Sequence, residues 1–217
     1  MDLFPVWLSL RVSLVATALT VVVGIPVAWF LARRRHVGKE VVAALVVSPL
    51  VLPPTVLGYY LLVLIGTRGP IGRLLGGLGI ELAFTWRAAV LAACVGSLPL
   101  LIRAAQAGFE SVDERLEQAA RTLGRSEPSV FWSVSLPLAW RSVVAGMVLA
   151  FCRAFGDFGI TLMVAGNIPG RTQTLPLAIY DHVQANAMRE ANVLALLAVG
   201  AVIILLVGVG RLARVRY

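Results

Sequence analysis

The stretch Glu110-Ser-Val-Asp-Glu-Arg-Leu-Glu-Gln-Ala-Ala-Arg-Thr-Leu-Gly124-Arg-Ser-Glu-Pro128 is polar, and apolar runs long enough to cross a bilayer flank it on both sides. It opens with acidic residues and closes with Arg121 and Arg125, the polarity that suits a helix dipole. Gly124 stands where a C-terminal cap belongs. Ser126 then offers an N-cap, and Pro128 is acceptable in the first turn of a new helix. Leu136-Pro137 closes that second helix. Segment 110–137 is therefore predicted to be two short helices around a glycine turn. Ala119, Ala120 and Gly124 give it a small-residue surface that a groove on another protein accepts closely, and a solvated hairpin with no partner is the alternative.

Outward from this loop the chain belongs to lipid. Of 217 residues 59% are hydrophobic and 14% charged, with a mean hydropathy of +0.88. Soluble domains carry about 25% charged residues. The net charge of +8 is not a nucleic-acid footprint, because the basic residues sit in short clusters at the ends of apolar runs. Five stretches are predicted to span: about 8–31, 41–65, 88–107, 142–164 and 193–212. The first is too long for a signal-peptide core, and Arg33-Arg34-Arg35 follows it as a stop-transfer cluster. Cys94 and Cys152 lie in apolar runs as packing residues, and His36 and His182 have no ligand-like neighbours, so no metal site is expected.

Orientation follows from arginine and lysine. One side holds twelve: Arg33, Arg34, Arg35, Lys39, Arg103, Arg115, Arg121, Arg125, Arg141, Arg211, Arg214 and Arg216. The other holds six: Arg11, Arg68, Arg73, Arg87, Arg171 and Arg189. The richer side is expected to be cytoplasmic, which puts the N-terminus outside and the C-terminus inside.

Two spans are more than anchors. Pro49, Pro53 and Pro54 lack amide donors, so the second must kink or break, either as a packing kink or toward a bundle interior or cavity. The fourth carries Arg153 and Asp157, each costing about 2.5–3.5 kcal/mol in a bilayer. Their i, i+4 spacing lets them pair on one helix face, with Gly156 and Gly159 allowing close helix approach beside them. A structural ion pair and a residue pair lining or gating a path are both open on this spacing.

The pattern Gln118-Ala119-Ala120, three residues, Gly124, nine residues, Val134-Ser135-Leu136-Pro137 resembles the EAA loop of bacterial ABC importer permeases, which reads Glu-Ala-Ala, three residues, Gly, nine residues, Ile-x-Leu-Pro. Gln118 replaces the Glu, with Glu117 one place earlier, and Val134 replaces the Ile. The resemblance implies an all-α integral membrane protein, a five-span bundle of the type I importer permease fold with a cytoplasmic helical coupling loop. In the family that loop docks in a groove of the ATPase, so the resemblance makes Glu117, Gln118, Ala119, Ala120, Gly124, Val134, Leu136 and Pro137 the docking surface. A P-loop needs Gly-x-x-x-x-Gly-Lys-Ser/Thr, and the one lysine, Lys39, precedes Glu40. ATP and Mg are thus expected on a partner ATPase, and this chain is not an enzyme by itself. The family pattern implies two ATPase subunits, a second permease copy (a homodimer is favoured), and a soluble or lipid-anchored oxyanion-binding protein, all at a bacterial inner membrane.

Residues 153–181 and the run Ser48–Tyr60 are similar to the oxyanion branch of these permeases, and within it to molybdate permeases, although relatives more often carry Glu where Asp157 stands. Molybdate and tungstate are nearly equal tetrahedral dianions, and sulfate or thiosulfate is the first rival. Neutral donors suit such ions, including the hydroxyls of Thr55, Thr161, Thr172 and Thr174. Pro53, Pro54, Thr55, Arg153, Asp157 and Thr161 are the expected path or gate. A secondary transporter is the rival class, but it would need intramembrane ion ligands, often in inverted repeats. No repeat is visible, and Arg153 and Asp157 are the deep charges.

Overall fold

The computed structural model describes residues 2–33 and 38–214, with the side chains of 209, 210 and 212–214 outside the description. The basic residues Arg34, Arg35 and Arg216, the side chain of Arg214, and His36 therefore lie outside the described residues. The described chain is helical, in the order α1 (Phe4–Arg33), α2 (Lys39–Val51), α3 (Pro54–Ile65), α4 (Pro70–Gly76), α5 (Trp86–Glu110), α6 (Glu114–Thr122), α7 (Glu127–Val130), a π-helical turn (Phe131–Ser135), α8 (Leu136–Phe155), α9 (Gly159–Ala165), α10 (Leu175–Gln184) and α11 (Met188–Arg214).

Helix α5 forms the centre, packed between α1, α8 and α9. The contact surfaces are rich in small residues, because lipid tails give helices no hydrophobic reason to associate and close backbone approach contributes instead. Leu8, Val12 and Ala16 of α1 share one buried cluster with Ala88, Ala89, Ala92 and Ala93 of α5. Gly24 lies against Leu101, and Gly108 has no room for a Cβ beside Ser142 of α8. Buried hydroxyls bond locally, as Ser13 does to Ser9 O at 2.7 Å and Ser97 to Ala93 O at 2.6 Å. Helix α11 leaves large apolar side chains such as Leu196 and Ile204 exposed, a surface suited to lipid or protein but not to water.

Among the described residues four helices are long and apolar enough to cross a membrane, or five if one bent pair counts as a span. The first, third and fifth expected spans appear as α1, α5 and α11. The second does not run straight from 41 to 65. Leu52 and Pro53 leave the helix, and the segments Lys39–Val51 and Pro54–Gly76 meet at 111°. Pro53 and Pro54 have no amide hydrogens to donate into the preceding turn, and Pro54 instead starts a new helix, where its fixed φ is acceptable.

The fourth span also differs from 142–164. Leu136-Pro137 does not close the second short helix, because α7, the π-helical turn and α8 run on as one apolar helix from Glu127 to Phe155. Pro137 therefore lies inside this helix, and the π-helical turn just before it, where Leu136 N–H bonds to Phe131 O, takes up the hydrogen bond that the proline cannot donate. The helix stops at Phe155, and Gly156 to Phe158 break it before α9.

Candidate functional site

Two places carry chemistry. At one end of the bundle, α6 and α7 form the expected hairpin. Asp113, not foreseen from the sequence, caps α6 by accepting from Arg115 N at 2.9 Å. Gly124 ends the helix with φ +81, its N–H bonded to Arg121 O and the next N–H to Ala120 O, the paired closure that favours glycine at this position. Ser126 occupies the N-cap position of α7 but makes no side-chain capping bond; its carbonyl receives Val130 N instead. Arg121 clamps the two helices, with Nε 2.6 Å and Nη2 3.2 Å from the Glu127 carboxylate. That hydrogen bond, reinforced by the charges of Glu127 and Glu117, pushes Arg121 above the usual guanidinium pKa.

The eight loop residues singled out in the sequence fall into three groups. Gln118, Ala119, Gly124 and Pro137 are exposed, and Ala120, Val134 and Leu136 are half-buried. Glu117 faces inward at 1% exposure and offers no surface. Its carboxylate accepts from Arg33 Nη2 at 2.7 Å, Arg33 Nε at 3.0 Å and Ser135 Oγ at 2.6 Å. A second arginine, Arg121, lies 3.5 Å from its other oxygen. A charge this buried needs such a full set of partners. The last carbonyl-rich turn of α1, the middle of α6 and the π-helical turn are thereby joined at one anion. On the outer face of α6 and its cap, Leu116 and Leu123 are 50% and 84% exposed.

The second place is where two broken helices meet. A Cβ on Gly159 would lie 2.7 Å from Pro54 Cβ, and Gly58 abuts Met163 at 2.6 Å, so the break before α3 rests directly on the break before α9. Gly156 makes no such approach. Asp157 sits in the second break, 3% exposed. One oxygen accepts from Arg153 Nη1 at 2.9 Å. The other accepts from Thr161 N at 2.9 Å and Thr161 Oγ1 at 2.7 Å. Arg153 and Asp157 thus pair as their spacing predicts, but across a helix end rather than along one continuous helix face. Asp157 thereby also satisfies one of the free amides at the start of α9, that of Thr161. Gly96 of α5, unremarked in the sequence, leaves the space that the Arg153 guanidinium fills, at 3.2 Å from a hypothetical Cβ.

The candidate donors do not all converge. Thr55 is exposed beside the break, and Thr161 is occupied by Asp157. Thr172 is engaged with Ile168 N in the loop before α10, and Thr174 Oγ1 is buried there without a partner. Among the described residues no group of three or more His, Cys, Asp or Glu is placed to hold a metal ion.

The family model described as binding-protein-dependent transport system inner membrane component matches residues 24–215. The molybdenum transport system permease protein ModB of Escherichia coli K12 is 48% identical over 185 residues, covering 83% of this chain and 81% of that protein. The putative molybdenum transport system permease protein YvgM of Bacillus subtilis is 42% identical over 177 residues, 81% of this chain and 78% of that one. A probable sulfate transport system permease protein, cysT of Chlorokybus atmophyticus, is 32% identical over 201 residues, 93% of this chain and 70% of that one. Among solved structures, a chain of the MetNI methionine ABC transporter in an inward-facing conformation superposes with a TM-score of 0.73 at 20% identity, covering 97% of this chain and 93% of that chain. At such identity the likeness concerns the fold alone.

Proposed function

The chain belongs to the family of binding-protein-dependent transport system inner membrane components, and from that premise we propose that it is the permease subunit of an ATP-driven molybdate importer. Its fold is that of the ABC importer permeases. It is a multi-pass transport subunit and not an enzyme; ATP hydrolysis belongs to a separate subunit. The observation that carries the reading is the hairpin. It presents Leu116, Gln118, Ala119 and Leu123 outward while Glu117 ties it to α1 and to the root of α8. A helix that is sticky outside and anchored inside is a lever for a docked ATPase.

In this reading two ATPase subunits, carrying ATP and Mg, draw together beneath a permease homodimer, and the docked hairpins carry the spans from inward-open to outward-open. A soluble or lipid-anchored protein delivers the oxyanion at the opposite end, outside the cell, where the N-terminus lies. Gln118, Ala119, Ala120, Gly124, Val134, Leu136 and Pro137 form or shape the docking surface, and Glu117 holds it in place. Pro53, Pro54, Thr55, Arg153, Asp157 and Thr161 line or gate the path. What supports the last assignment is that non-helical backbone at membrane depth is tolerated beside protein or water, and here two such breaks abut.

Sulfate is the second reading, favoured by the 32% identical sulfate permease relative. Uptake by proteoliposomes containing this chain, its ATPase and its binding protein separates them. Molybdate uptake that needs ATP and survives excess sulfate is the expected result. ATP-dependent sulfate uptake instead corrects the substrate, and uptake driven by an ion gradient without ATP overturns the class.

A further inference from the structure

Four arginines stand where membrane topology disfavours them. Basic residues concentrate at cytoplasmic span ends, yet the bundle end opposite the hairpin gathers Arg68, Arg73, Arg87 and Arg171 round one mouth. Arg68, Arg73 and Arg171 line a cavity of about 890 Å³ between the α3–α4 turn and the segment before α5. Arg87 and Arg171 line an adjoining cavity of about 170 Å³, and Phe84 and Thr85 border both. All four are exposed, and none has an ion pair among the described residues. The other two arginines of this end are differently engaged: Arg11 lies 4.0 Å over the Trp86 ring, and Arg189 shares a cleft with Asp2 and Glu190.

The mouth is built, not incidental. A Cβ on Gly69 would collide with the carbonyls of Val63 and Leu64, and one on Gly72 with that of Gly66, so glycine alone lets α4 fold back on the end of α3. That turn is what brings Arg68 and Arg73 to one wall. The opposite wall is fixed by Phe84, whose N–H donates to Val164 O at 2.8 Å and whose ring lies 3.3 Å from the Cβ position of Gly166.

We infer that this mouth is an anion vestibule, which draws the tetrahedral dianion in and holds it briefly before it enters the path between the broken helices. The inference rests on the importer reading above and adds its entry step. In the larger cavity three guanidinium groups face one carboxylate, that of Glu81, leaving a surplus of two positive charges for a doubly charged ion. A concave, low-dielectric wall of one sign focuses its field and raises the local concentration of counter-ions. Guanidinium forks present paired N–H donors to oxyanions. The concavity favours a small ion over a docked protein surface.

The test compares wild type with R68Q/R73Q/R171Q and with the corresponding triple Lys variant, each reconstituted with ATPase and binding protein. Co-purification of the ATPase reports assembly. At low ionic strength the Gln variant should import molybdate about tenfold more slowly or worse, the gap closing as salt rises, with the Lys variant, which keeps the charge but not the fork, between it and wild type. Equal rates at low salt overturn the vestibule while leaving wild-type import standing; a wild type that imports no oxyanion overturns the importer reading itself. A second measurement uses the intact permease–ATPase complex without binding protein. Molybdate should slow phenylglyoxal modification of Arg68, Arg73 and Arg171, read by mass spectrometry, but not that of Arg189, which is exposed at the same end outside these cavities. Equal protection by chloride at matched ionic strength would reduce the effect to screening and refute a site. Loss of binding-protein affinity in the Gln variant without any molybdate protection would assign the arginines to protein docking. Dependence on anionic lipid alone would assign them to headgroups.

Discussion

Arg33 and Glu117, 84 residues apart, meet through two hydrogen bonds to a single carboxylate oxygen, Nη2 at 2.7 Å and Nε at 3.0 Å. Ser135 Oγ donates to the same oxygen at 2.6 Å. Arg33 belongs to the end of α1, Glu117 to α6 and Ser135 to the root of α8, so a displacement of the hairpin reaches two spans through one anion. Arg33 Nη2 also donates to Val112 O at 3.3 Å, which fixes the strand of chain entering α6.

Removing that anion should loosen the hairpin. Glu117→Ala leaves Arg33, whose side chain is 11% exposed, without its partner. Breaking a buried pair from one side costs about 3–5 kcal/mol. Glu117→Gln keeps an acceptor for Arg33 and Ser135 and should cost less. Thermal unfolding of the purified complex should rank wild type above Gln and Gln above Ala, with molybdate moved per ATP hydrolysed falling in the same order. An Ala variant that melts with wild type would show that the pair does not hold the hairpin.

Gly124 separates fold from docking. Its φ of +81 penalises any side chain by about 1–2 kcal/mol, yet no heavy atom lies within 4 Å of a Cβ built there. Gly124→Ala should therefore be mildly destabilising and still recover the ATPase on purification. Gly124→Trp adds bulk at a position whose Cβ meets nothing within 4 Å among the described residues, so its spans should insert while the ATPase is lost. Normal recovery of the ATPase with the Trp variant would remove Gly124 from the docking surface.

Much of this was legible in the sequence because it is written locally. Hydropathy marks the apolar runs, and Gly124 announces its own cap. The break at Pro53-Pro54 was legible as a break, but its 111° bend was not, since the angle is set by Gly58 and Gly159 packing against residues about a hundred positions away. The continuous helix from Glu127 to Phe155 was misread because Pro137 looks like a terminator. The π-helical turn just before Pro137, where Leu136 N–H bonds to Phe131 O, absorbs the missing donor and lets the helix run on. Glu117 as an internal anchor was invisible for another reason: only the fold brings Arg33 beside it.

Packing of the two broken helices depends on Gly58. A Cβ there would stand 2.6 Å from Met163 Cβ and 3.4 Å from Ile160 Cα, so α3 must move away from α9 to admit it. Overpacking costs about 1–3 kcal/mol. Gly58→Ala should lower uptake and thermal stability together. Gly200→Ala, on α11 with nothing within 4 Å, is the matched control and should change neither. Equal behaviour of the two variants would mean that α3 and α9 are not held at this contact.

Asp157 serves two partners, and substitutions can separate them. Asp157→Asn keeps an oxygen to accept from Thr161 N, so the start of α9 should survive, while Arg153 loses its counter-charge. Asp157→Ala removes both functions. It should cost about 0.5–2 kcal/mol for the lost cap, besides exposing an unpaired arginine whose insertion costs about 2.5–3.5 kcal/mol. Arg153→Ala in the same chain removes that unpaired charge, so the double Ala variant should be more stable than Asp157→Ala alone. That ordering tests the pair as structure. The gate reading requires more: Asp157→Asn and Arg153→Gln, purified as intact complexes, should change uptake or raise ATP hydrolysis in the absence of substrate, because a path closed partly by this pair no longer waits for the oxyanion. Unchanged uptake and unchanged ATP hydrolysis in both would leave the pair as a helix-end clamp, with no part in gating.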